Sequence, residues 1–203
     1  MPVFDWFGHY KNRFGLKWHI VEIPYRIVDL EVLANFETIL GVGSGRALFE
    51  NLLSKNKSII ASDVSPALMH LAKKHGKNIK GFMACDVFNL PFKDQSFDCV
   101  YSQGLMEHFD ETEAADILRE MGRAAEYVVF SVPLHTYRGQ PLEFEYHRRP
   151  EEWLKILSTV FRFRKALPYP TRTEAVFMAS QKQLPKIKRF KTLEVLKNAV
   201  AAS

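Results

Sequence analysis

GVGSGRALFENLL, Gly41 to Leu53, follows a short apolar run, and its reading decides the fold. Glycines directly after a strand let the backbone approach a ligand, and the helix that follows turns its N-terminus toward it. A tight strand-to-helix turn also needs glycine, so the stretch alone leaves both readings open. Two nucleotide fingerprints can be tested on it. The dinucleotide pattern G-x-G-x-x-G/A ends on Arg46 if it starts at Gly41, and on Leu48 if it starts at Gly43. Both positions fail, which disfavours a hydride-transfer cofactor. The Gly-Lys-Ser/Thr of a phosphate loop is also absent.

Working outward, short apolar runs alternate with amphipathic ones. FETIL (36–40), KSIIASD (57–63), IKGFMACD (79–86), FDCVYS (97–102) and EYVVFSV (126–132) read as strands. Between and around them, 24–35, 45–54, DETEAADILREMG (110–122) and 150–161 read as helices. So does SPALMHLAKKHG, with Ser65 as its cap, Pro66 in its first turn and Gly76 as its stop. FRFRKAL and EAVFMASQ close the series as β-rich runs. Alternating strands and helices predict an α/β fold on a mostly parallel sheet.

Two aspartates fall in register with the glycine turn. Asp63 ends the second strand and Asp86 the third. Ligands of doubly wound folds sit beyond the carboxyl ends of the strands, so both carboxylates belong on the ligand side. An acid at Asp63 suits ribose hydroxyls, and one at Asp86 suits an adenine amino group. Aspartates at strand ends also cap turns.

At this point the chain resembles the class I S-adenosylmethionine-dependent methyltransferases, in the small-molecule branch that includes quinone-biosynthesis enzymes. The resemblance runs from about Thr38 to Gln181. It rests on TILGVGSGRALFENLL, IIASDVSPALMHLAKK, ACDVFNLPFKDQSFDCVYSQGLMEHFDE and VVFSVP. It implies a Rossmann-like, doubly wound, seven-stranded sheet of order 3-2-1-4-5-7-6 with the seventh strand antiparallel, and S-adenosylmethionine as cofactor. The cofactor-binding residues it implies are Gly41, Gly43, Ser44, Gly45, Asp63, Val64, Cys85, Asp86, Val87, Ser102 and Gln103. Two positions depart from the family. Gly41 stands where an acid is usual, and Ala47 where a third glycine is usual, so another residue must supply the charge or cofactor binding is weakened.

Methyl transfer from a sulfonium needs alignment and exclusion of water more than acid–base help. A base matters only where the acceptor loses a proton. His108, after the fourth strand, is the candidate catalytic residue, and an ordering role in its loop is the competing reading. Glu107 beside it has the same two readings. His135 and the stretch EFEYHRRPEE (143–152) lie on loops the family uses on the substrate side.

The chain has 203 residues, 47% apolar and 25% charged, and a net charge of +5. These values fit one ordinary globular domain and permit an acidic partner without requiring one. Residues 1–35 form an N-terminal aromatic lid or helix in this reading, 36–183 the methyltransferase domain, and 184–203 a basic helical appendage. No apolar run reaches the roughly 18 residues of a membrane span, and the N-terminus does not read as a signal peptide. Cys85 and Cys99 lie in apolar runs, fitting buried thiols in a reducing cytoplasm, and no spacing suggests a metal site. The expected partner is a small or lipid-like acceptor. The alternatives are an RNA or protein methyltransferase, and a degenerate member that binds cofactor without catalysis. Nucleic acid is disfavoured by the absence of an Asn-Pro-Pro-Tyr motif.

Overall fold

The computed structural model describes residues 26–54, 57–138, 145–170 and 172–187. The proposed aromatic lid, apart from the helix at its end, and most of the basic appendage lie outside them. Chain order is α1 (Ile27–Leu33), β1 (Thr38–Val42), α2 (Leu48–Leu53), β2 (Ser58–Asp63), α3 (Pro66–His75) and β3 (Gly81–Ala84). There follow β4 (Phe97–Gln103), a 3-10 turn (Met106–His108), α4 (Glu111–Ala124), β5 (Ala125–Pro133), α5 (Pro150–Ser158), β6 (Phe163–Pro168) and β7 (Glu174–Ser180).

The strands form one seven-stranded sheet of order β3-β2-β1-β4-β5-β7-β6. Strands β1 to β5 pair in parallel, while β7 runs antiparallel to both β5 and β6. This is the expected order and the expected reversal. Alternation along the central strands covers both faces. Val100, Val128, Phe130 and Phe177 join α4 and α5 in one core, while Cys99, Tyr101, Val129 and Val176 join α1 in another. Strands buried on both sides must be apolar at nearly every position, which is why they read as continuous runs. The first core is anchored by aromatics. Phe130 stacks on Phe177 at 5.1 Å and meets Trp153 edge-on at 5.2 Å.

Local signals set the element ends. Ser65 Oγ accepts from the Leu68 N–H at 3.3 Å, capping α3 before Pro66. Asp110 accepts from the N–H groups of Thr112 and Glu113, and Glu113 returns a bond to Asp110 N, a complete capping box on α4. One expectation needs correction. The helix read over 45–54 starts three residues later, at Leu48, because Gly45 and Ala47 both take left-handed φ, 54° and 53°. Those angles unwind the chain into a turn that no right-handed helix can contain. Among the described residues, no helix is long and apolar enough to cross a membrane.

Candidate functional site

The turn from Gly43 to Ala47 leaves β1 at the carboxyl edge of the sheet. Gly43 has φ +62°, and a Cβ there would stand 2.9 Å from Leu105 Cδ1, so glycine meets both a conformational and a packing demand. Ser44 N donates to Ser62 O at 2.9 Å, and Ala47 N to Ser44 O at 2.7 Å. Ala47, where a third glycine is usual, holds a left-handed backbone (φ 53°, ψ 37°) with its methyl group buried. That conformation costs a non-glycine residue about 1 kcal/mol.

Asp63 ties this turn to the next strand. Its Oδ2 accepts from Gly45 N and its Oδ1 from Ser65 N, each at 2.9 Å. Burial raises its pKa, and the two backbone donors oppose that rise. Cys85 N donates to Asp63 O at 3.0 Å, joining the ends of β2 and β3. Burial also pushes the Cys85 thiol up, leaving it in the neutral form. Asp86 is exposed, and its Oδ1 accepts from Phe88 N at 3.0 Å. Val64 and Phe88 are 51% and 41% exposed, and Val87 is half-buried, so apolar side chains flank both aspartates.

Glu50, on α2, was not singled out from the sequence. It is 5% exposed, and burial pushes its carboxyl up to about 7, offset in part by Ser44. The signal available in the sequence was an acid among Leu48, Phe49, Leu52 and Leu53, just after the glycine turn.

The end of β4 is more engaged than expected. Ser102 is buried, paired along the sheet with Val42 and Phe130. Gln103, with its amide oxygen turned to Arg26, accepts from Nη2 and Nε at 2.8 and 2.9 Å. Arg26 also pairs with Glu174 at 2.7 Å. Beneath them Tyr101 donates to the buried Asp29 at 2.8 Å, and burial pushes Asp29 up to about 6.

His108, half-buried, ends the 3-10 turn beyond β4. Glu107 beside it is 4% exposed, and burial pushes its carboxyl up to about 8. A raised pKa makes Glu107 a weak candidate for a base that must be ionised at neutral pH. Glu107 O accepts from Tyr146 N at 2.7 Å, drawing the 145–149 segment over this turn. In that segment His147 Nε2 lies 3.0 Å from Glu145 Oε2 and its ring meets Tyr137 edge-on. His135 is exposed, and its N–H donates to Arg148 O at 3.3 Å. Arg148 is buried, its guanidinium between the rings of Tyr146 and Trp153, so it fixes the segment rather than facing solvent. Arg149 is exposed.

The stretch Leu90-Pro91-Phe92, before β4, is held by Arg123. The Arg123 guanidinium donates to the carbonyls of Leu90 and Phe92 and to the carboxylates of Asp94 and Glu120. Glu120 in turn accepts from Leu90 N at 2.8 Å.

Comparison with known proteins bears on the fold. Residues 40–126 match the family model of the methyltransferase domain. The probable tRNA methyltransferase 9B of Mus musculus is 33% identical over 85 residues, 41% of this chain. The chain spans about 18% of the length of that curated relative. Among solved structures, magnesium protoporphyrin IX methyltransferase (ChlM) from Synechocystis PCC 6803 with bound SAH superposes with a TM-score of 0.69 at 16% identity, covering 87% of this chain and 94% of that one. A putative methyltransferase of Haloferax volcanii, in complex with the Trm112 methyltransferase activator, gives 0.65 at 14% identity over 87% of this chain and 95% of its own. The chain therefore has the Rossmann-like fold of S-adenosylmethionine-dependent methyltransferases.

Proposed function

We propose that the chain is an S-adenosylmethionine-dependent methyltransferase acting on a small or lipid-like acceptor. The observation that carries the cofactor reading is the Asp63 clamp on the glycine turn, set in a sheet of this order, with Val64 and Phe88 exposed beside Asp63 and Asp86. These residues fit the cofactor's parts. In this reading Asp63 takes the ribose hydroxyls, Asp86 the adenine amino group, and Val64, Cys85 and Val87 the faces of the base. The turn Gly43-Ser44-Gly45 is assigned the methionine end, with the side-chain space at Gly43 taken by Leu105. When bound, S-adenosylmethionine supplies a methyl group already activated on sulfur. The chain's task is then to align the acceptor and exclude water.

The small-acceptor reading is supported by Tyr137 and Tyr146, 42% and 46% exposed, next to the Glu145–His147 pair. Aromatic faces with one hydrogen-bonding pair suit an apolar molecule with a single polar group. His108 is the residue assigned to take a proton where the acceptor must lose one. The likeness to tRNA methyltransferase 9B favours a second reading, an RNA acceptor.

Calorimetry tests the cofactor: S-adenosylmethionine and S-adenosylhomocysteine should bind, and NAD should not. Saturable NAD binding without a response to S-adenosylmethionine would sink the reading. Transfer of label from methyl-labelled S-adenosylmethionine to a lipid extract, and not to total tRNA, is the outcome expected for the acceptor. H108A should then slow transfer while leaving S-adenosylhomocysteine binding intact.

A further inference from the structure

A Cβ built on Gly41 would stand 2.7 Å from Glu50 Oε1, 3.0 Å from Glu50 Cγ and 2.6 Å from Ser44 Oγ. The carboxyl group of Glu50 therefore fills the space into which a side chain at the end of β1 would extend. It reaches that space from the first turn of α2 and is 5% exposed. Burying a carboxylate is costly unless a charge or several donors meet it. Among the described residues no cation forms an ion pair with Glu50, and the charge that acts on it is the like charge of Asp63. Asp63 is itself committed, with one backbone N–H on each oxygen. The glycine turn thus encloses one buried acid that holds the backbone and a second that has no countercharge.

We propose that Glu50 is the carboxylate that receives the ammonium group at the methionine end of the cofactor, from a helix rather than from the strand. This rests on the cofactor reading above. A ligand cation would provide the countercharge the buried acid lacks. It would also explain why glycine stands at position 41: any larger residue would displace the Glu50 carboxyl.

The test is calorimetry with S-adenosylhomocysteine and with 5′-methylthioadenosine, which keeps adenine, ribose and thioether but lacks the amino-acid end. E50Q should weaken S-adenosylhomocysteine roughly tenfold or more and methylthioadenosine less than about threefold, the difference expected from losing one charge-assisted contact. The swap G41D/E50A, which returns an acid to the strand, should bind S-adenosylhomocysteine within about threefold of the parent. Equal loss on both compounds, or none on either, overturns the assignment. If E50Q does not fold, the swap decides: methylthioadenosine bound without S-adenosylhomocysteine overturns it. A parent that binds neither compound overturns the cofactor reading and this one with it.

Discussion

Gly45 N donates to Asp63 Oδ2 at 2.9 Å, while the other oxygen of the same carboxylate accepts from Ser65 N. One side chain thus holds both the glycine turn after β1 and the start of α3. Any ribose contact would use lone pairs left over from this duty.

Asp63→Ala should therefore fail twice. It removes two backbone bonds and should lower stability by about 1–3 kcal/mol, because two buried donors lose their acceptor. It should also weaken S-adenosylhomocysteine binding. Asp63→Asn keeps one acceptor and should recover part of the stability. Thermal melts and calorimetry on both variants check this, and a D63A protein as stable as the parent would contradict the clamp. Asp86→Ala, at an exposed residue capping only its own turn, should leave stability nearly unchanged.

Arg123 predicts the behaviour of the loop before β4. Five hydrogen bonds converge on its guanidinium, two of them to the carbonyls of Leu90 and Phe92. Arg123→Ala should cost about 1–2 kcal/mol, and Arg123→Lys should recover little, since an ammonium cannot reproduce the planar fork. Hydrogen exchange should show faster opening over residues 90–96. Lysine restoring full stability would mean that charge alone is at work.

The buried acid Glu107 sets a pH dependence. Its pKa rises from 4.5 to about 8 on folding. The native state then holds a proton that the unfolded chain has released, so this contribution is fully present below 4.5 and is lost as pH rises through 8. Melting temperature should fall between pH 5.5 and 8.5, by on the order of 5 °C. Glu107→Gln, neutral throughout, should flatten that fall, leaving the smaller slope from Asp29 and Glu50. Parallel curves for parent and variant would remove Glu107 as the cause.

The acceptor readings separate on salt. Lys186, Lys188, Arg189 and Lys191 form a basic run in which Phe190 is the lone aromatic. Single-strand binders interleave several stacking rings. Binding to tRNA should be weak, insensitive to sequence and steeply reduced by salt. Titration of the parent against a variant neutralised at these four positions checks it. Tight, discriminating binding that the variant loses would favour the RNA acceptor.

Much of this molecule was legible along the chain because the signals are local. The continuous apolar runs of the strands and the Ser65 cap before Pro66 each act within a few residues. Asp63 and Asp86 were placed by the rule that ligands lie beyond strand ends, a consequence of parallel topology. The start of α2 was misplaced because left-handed Ala47 leaves no compositional mark.

The sequence by itself determined the order of strands and helices, the glycine turn and the acids in register with it. It also marked Gly41 as a gap where a charge is usual. Only the tertiary structure decided what fills that gap. Glu50 reaches Gly41 because the turn folds α2 back against β1, and Gln103 is held by Arg26, 77 positions earlier, because α1 packs beside β4. Periodicity records which face of an element is buried. It does not record which distant side chain is buried against it, because that follows from how the elements pack together.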